Sequence, residues 1–145
     1  MDNKYIGGDN MISLIIGKKG TGKTKVLVEH VNDAVHVSSG NVVCVEKETK
    51  LTYDVNYRAR LVATDTFSIK GYDAFYGFVA GLVAGNHDIN EIYIDGITKI
   101  CGSEIAALEK FLQKVDKLAG EEITVTLTAS CDPGDATDVI KSYLI

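Results

Sequence analysis

A chain of 145 residues, 46% hydrophobic and 24% charged with one proline, has the make-up of one ordinary globular domain, long enough to bury roughly two-thirds of the surface its unfolded form exposes. Its formal charge of -5 supplies no overall positive field for a polyanion, so nucleic acid is not indicated as a partner. Cys44, Cys101 and Cys131 show no metal-ligand spacing, Met1 to Asn10 carries no apolar run, and no stretch approaches the ~18 apolar residues of a membrane span, so a reduced, cytoplasmic setting is expected.

Short apolar runs alternate with helical patterns, which predicts an α/β domain: three αβα layers around a mostly parallel five-stranded sheet. The first strand is Met11 to Ile16. A helix follows from inside a glycine-rich loop, with Leu27, Val31, Ala34 and Val35 at helical spacing. Asn41 to Glu46 and Arg60 to Thr64 read as the second and third strands. Tyr72 to Gly85 predicts a helix that is apolar nearly all round and hence deeply buried, and its GxxxG spacings at Gly77, Gly81 and Gly85 suggest close packing on the sheet. The fourth strand is Glu91 to Asp95. Ser103 is then the expected N-cap of a helix whose stripe is Ile105, Leu108, Leu112, Val115 and Ala119, ended by Gly120. Ile123 to Ala129 is the fifth strand, and a last helix is expected from about Asp135 to Leu144. No linker, repeat or low-complexity segment interrupts the pattern, so residues 1 to 145 are read as a single domain.

Gly17, Lys18, Lys19, Gly20, Thr21, Gly22, Lys23 and Thr24 match the P-loop pattern G-x-x-x-x-G-K-[ST] between a strand and a helix. Glycines let such a loop wrap with its N–H groups pointing inward at a helix N-terminus, which makes an anion site. Lys23 would reach the β and γ phosphates of a nucleoside triphosphate, and Thr24 would offer its hydroxyl to Mg²⁺. Asp95, at the end of the apolar run in EIYIDG, is the expected second metal-side group, because ligands of open α/β sheets gather at the carboxyl ends of the strands.

These two segments resemble the P-loop NTPase superfamily, and three others resemble the ATPase core of RecA and KaiC-type proteins. NVVCVEKE ends the strand after the P-loop helix in glutamates, RLVATD ends the next strand in Asp, and EIYIDGITKI with ITVTLTAS resembles the Walker B strand and its successor. The resemblance implies that Glu46 polarises the attacking water, with Glu48 in reserve. It implies likewise that Ser130, or else Thr128, senses the γ-phosphate. In-line attack on phosphorus does need a positioned acceptor for the water proton. The implied activity is ATP hydrolysis with Mg²⁺, driving a conformational change within a homo-oligomeric assembly.

Gly96 departs from the pattern, since other ATPases keep a glutamate beside the Walker B aspartate. The strands that follow the fifth in RecA-type cores, and a DNA-binding loop, are not expected here. Lys18 sits where MinD and ParA-like proteins keep a signature lysine, but Lys19 replaces one of their glycines. No N-K-x-D guanine motif follows a late strand, which favours ATP over GTP. Arg58 and Arg60 fall at the edge opposite the phosphates, leaving Lys70 as the candidate for a charge supplied in cis or to a neighbour. His30, His36 and His87 have no partners at metal spacing. Two alternatives stay open: a small-molecule or nucleotide kinase using Asp65 or Glu46 as base, and a nucleotide-binding regulator without turnover.

Overall fold

Runs of Val, Ile, Leu and Thr that are buried on both faces favour parallel pairing under covering helices. The computed structural model, which describes residues 11–145, shows that arrangement. Its strands are β1 (Ile12–Gly17), β2 (Asn41–Glu46), β3 (Arg60–Ala63), β4 (Ile89–Ile94) and β5 (Thr124–Ser130). Every pairing is parallel and the order is β1-β5-β4-β2-β3. The helices are α1 (Lys23–Val37), α2 (Tyr72–Gly85), α3 (Ile97–Cys101), α4 (Ile105–Ala119) and α5 (Asp138–Lys141). Met1 to Asn10 lies outside the described residues.

Two apolar layers sandwich the sheet. On one face Leu27, Val31, Ala34 and Val35 of α1 pack against Val42 and Cys44 of β2 and Tyr93 of β4, with Leu51 and Val55 closing the side. On the other, Phe75 and Val79 of α2 join Leu108, Phe111, Leu112 and Val115 of α4 over the inward residues of β1, β4 and β5. Phe75 and Phe111 meet with ring centroids 5.6 Å apart. Because β1 and β4 flank β5, the loops leaving β1 and β4 open on the same sheet edge with the tip of β5 between them.

Four details depart from the sequence reading. Helix α2 has its expected limits but buries only Phe75 and Val79. Its glycines make no close contact: a Cβ added at Gly77, Gly81 or Gly85 would meet nothing within 4 Å. α2 meets α4 through Phe75 and Phe111, and an open groove of about 790 Å³ lined by Val43, Val62, Phe78, Leu82 and Arg60 runs along its other flank. The N-cap of α4 is Glu104, not Ser103, and it makes no side-chain capping bond. The expected last helix is only the short α5, capped by Thr137, whose hydroxyl accepts the Ile140 N–H at 3.2 Å. Asp132 and Pro133 hold the preceding residues in a 3-10 turn, and the chain beyond α5 turns back so that Leu144 bridges to Leu14. Finally, α3 was not expected at all; it occupies the turn just after Asp95.

Candidate functional site

The loop Gly17 to Thr24 takes the shape its glycines permit. Gly20 and Gly22 have φ of 83° and 86°, in the left-handed region that side chains with a Cβ rarely adopt. A Cβ on Gly17 would come within 2.6 Å of the Thr21 hydroxyl. Gly22 is the N-cap of α1, and the first turn of α1 has neither a side-chain cap nor an acidic residue. Its positive end therefore faces the loop without a side-chain counter-group of its own. The Lys23 ammonium donates to the carbonyls of Gly17 at 3.0 Å and Lys18 at 2.8 Å. Burial chiefly, then the charge of Lys99, lowers its pKa, while Asp95 pulls the other way.

Thr24 and Asp95, 71 residues apart, meet directly. The Thr24 hydroxyl lies 3.0 Å and 3.1 Å from the two carboxylate oxygens of Asp95. Asp95 is held at the end of β4, where its N–H donates to the Val45 carbonyl of β2 at 2.8 Å. Thr128 fixes its side chain: the Thr128 hydroxyl donates to Asp95 Oδ1 at 2.9 Å and accepts the Gly96 N–H at 2.7 Å. Thr128 thus serves the carboxylate. Ser130 sits beside Gly17 in the β1–β5 register and donates its N–H to the Thr98 hydroxyl at 3.0 Å. A cavity of about 360 Å³ gathers Lys19 to Thr24, Asp95, Gly96, Lys99, Thr128 and Ser130.

Glu46 ends β2 and is buried, 4% exposed. Its Oε1 accepts the Lys50 N–H at 2.9 Å and its Oε2 the Leu51 N–H at 3.3 Å, so the carboxylate closes the turn that follows its own strand. A smaller cavity of about 130 Å³ lies beside it, and Thr24, Asp95 and Lys99 line that cavity too. Glu48 also lines it, as an exposed residue paired with Lys50 at 3.0 Å. Asp65 is paired with Lys47 at 3.0 Å and lines neither cavity. Lys70 also lines neither cavity, and the Lys18 side chain points outward to Asp132 at 3.5 Å.

Lys99 is the site residue that sequence reasoning missed. The one signal for it was a cation four residues after the strand-end aspartate, and without α3 that spacing has no geometric meaning. Thr98 escaped notice for the same reason.

The Thr24 hydroxyl and Asp95 carboxylate form an oxygen-only donor pair suited to a hard cation. Among the described residues no cluster of three or more His, Cys, Asp or Glu side chains exists that would hold a metal unaided. Mg²⁺ fits such a sparse set, because it keeps waters and takes further oxygens from substrate phosphates.

Among the described residues no helix is long and apolar enough to cross a membrane. No protein-family model and no curated protein matches the sequence. Among solved structures, the flagellar accessory protein FlaH from Methanocaldococcus jannaschii is similar over 94% of this chain and 70% of its own, with a TM-score of 0.58 at 15% sequence identity. At that identity the likeness bears on the fold alone: a five-stranded parallel sheet between helical layers, αβα, of the RecA-like kind.

Proposed function

We propose that this protein binds a nucleoside triphosphate, ATP as its Mg²⁺ complex, on the loop Gly17 to Thr24. The observation that carries the reading is the contact between Thr24 and Asp95, which joins the two motif halves beneath one cavity. In it, Gly17, Lys18, Lys19, Gly20, Thr21 and Gly22 wrap the phosphates with their backbone, Lys23 exchanges the loop carbonyls for phosphate oxygens, and Thr24 and Asp95 hold Mg²⁺ and its water shell. The ion would neutralise charge on the phosphates. The test is Lys23→Ala: the ammonium is not core packing, so the fold should persist while triphosphate affinity falls steeply. Undiminished ATP binding by the folded variant refutes the reading.

After binding, the proposed chemistry is hydrolysis coupled to a conformational or assembly change, with Glu46 orienting water and Ser130 sensing the γ-phosphate. Glu46 adjoins the cavity shared with Thr24 and Asp95, which supports this role. A second reading, a regulator that binds without turnover, is favoured by the two backbone N–H groups that already occupy the Glu46 carboxylate. The kinase reading loses support from Asp65, which is engaged with Lys47 away from the P-loop cavity. Single-turnover measurement of phosphate release without an acceptor separates the first two readings.

A further inference from the structure

Helix α3 starts two residues after Asp95, and its third residue, Lys99, folds back over the turn it came from. A Cβ built on Gly96 would meet Lys99 Cδ at 3.3 Å and its Cβ and Cγ at 3.6 Å. Gly96 has φ 74°, so glycine serves twice here: it allows the left-handed turn and leaves the space along which the lysine stem lies. The stem directs an exposed ammonium-bearing chain onto the walls of both cavities. Thr24, Asp95 and Lys99 are the three residues that the P-loop cavity and the Glu46 cavity share. They mark the junction between the phosphate cradle and the place where an attacking water would stand.

We propose that Lys99 is the ligand of the terminal phosphate, through which the site distinguishes a nucleoside triphosphate from a diphosphate. The inference rests on the nucleotide-binding reading above. Its physical basis is the charge balance at the junction. Three carboxylates line the cavities that Lys99 enters, but Glu46 accepts the Lys50 and Leu51 N–H groups and Glu48 pairs with Lys50, which leaves Asp95 as the carboxylate that Lys99 shares with Lys23; Lys99 itself forms no ion pair among the described residues. Two cations held near one another repel, and the anionic end of a triphosphate relieves that repulsion where a diphosphate stops short of it. The arginines Arg58 and Arg60 line the groove at the β3 edge, so they do not supply this charge to their own site.

Calorimetric titration of wild type, Lys99→Met, Lys99→Arg and Lys23→Ala with a nonhydrolysable Mg²⁺-ATP analogue and with Mg²⁺-ADP tests this. Lys99→Met should lower affinity for the analogue about tenfold or more, as loss of a charge-assisted bond does. Affinity for ADP should change by less than about twofold, and Lys99→Arg should restore most of the difference. Lys99 is exposed, so the Met variant should melt with the wild type. An equal loss for both nucleotides, or no loss for either, overturns the role of Lys99 while nucleotide binding itself stands. Failure of wild type to bind either nucleotide overturns both readings, and Lys23→Ala then has nothing to remove.

Discussion

Replacing Thr128 by Val removes a hydroxyl that ties the two sides of the site together while keeping nearly the same volume, so it isolates hydrogen bonding from packing. Thr128 is 2% exposed, and its oxygen accepts the buried Gly96 N–H and donates to Asp95 Oδ1. In the variant the Gly96 N–H is left buried without a partner, at a cost of about 1–3 kcal/mol. Asp95 keeps the Thr24 hydroxyl, so its own loss is smaller. For a domain of this length, ~2 kcal/mol corresponds to a melting temperature lower by roughly 4–8 °C. Thr128→Ser keeps the hydroxyl and forfeits one methyl, so it should lie between the two. Thermal unfolding followed by circular dichroism gives the ranking, and repeating it with Mg²⁺-ATP asks whether Asp95 has lost its aim. A Val variant that melts within about 1 °C of wild type would refute the argument, because the Gly96 N–H would then have found a partner the structure does not offer.

Asp95→Asn should retain nucleotide binding better than it retains the Mg²⁺ dependence of that binding, measured by titrating Mg²⁺ against a fixed nucleotide concentration; an unchanged dependence would make Asp95 a strand-end residue only. Glu46→Gln should leave binding intact and lower turnover on the order of 10²-fold if Glu46 acts as general base, with Glu48→Gln as control. Equal phosphate release by wild type and Glu46→Gln at saturating ATP would remove Glu46 from the chemistry. Stability should fall in alkali: burial first, then the charges of Asp95 and Glu46, pushes the Cys44 thiol up to about 12, and burial does the same to Cys101. The unfolded chain releases those protons near pH ~8.5, so the stabilisation is complete below that value and is lost as pH rises towards 12. Urea midpoints at pH 7.5, 9 and 10 should therefore decline, with a flatter slope for Cys44→Ala; identical slopes would contradict the assignment.

The strands were legible because a run such as VVCVE in β2, with every residue buried, leaves one sensible placement in an αβα sheet. Helix α2 was misjudged because apolarity reports what a segment can bury, not whether a neighbour arrives to cover it. Here the neighbour is α4, reached through Phe75, and the glycine side faces open space. The shape of the loop Gly17 to Thr24 was readable since its residues answer to a local backbone requirement, positive φ at Gly20 and Gly22, which the sequence states directly. The work of Thr128 was not, since it depends on β5 lying beside β4, two elements with a helix pair between them in the chain. Lys99 required the unexpected α3 to give its spacing a direction.

Asp95 and Glu46 stand at equivalent ends of neighbouring strands, yet they are held by different kinds of donor, and that difference bears on what each can do. The partners of Asp95 are the side-chain hydroxyls of Thr24 and Thr128, which rotate about one bond. Thr24 can turn its proton away and present oxygen to a cation with no movement of the backbone. The partners of Glu46 are the N–H groups of Lys50 and Leu51, fixed in a turn packed by the buried side chain of Leu51. Each Glu46 oxygen accepts one N–H and keeps a further lone pair, but the carboxylate cannot swing away from its strand end without opening the turn and leaving those two N–H groups to find other acceptors. The partners of Asp95 can therefore turn without backbone movement, whereas reorienting Glu46 requires residues 47–51 to move.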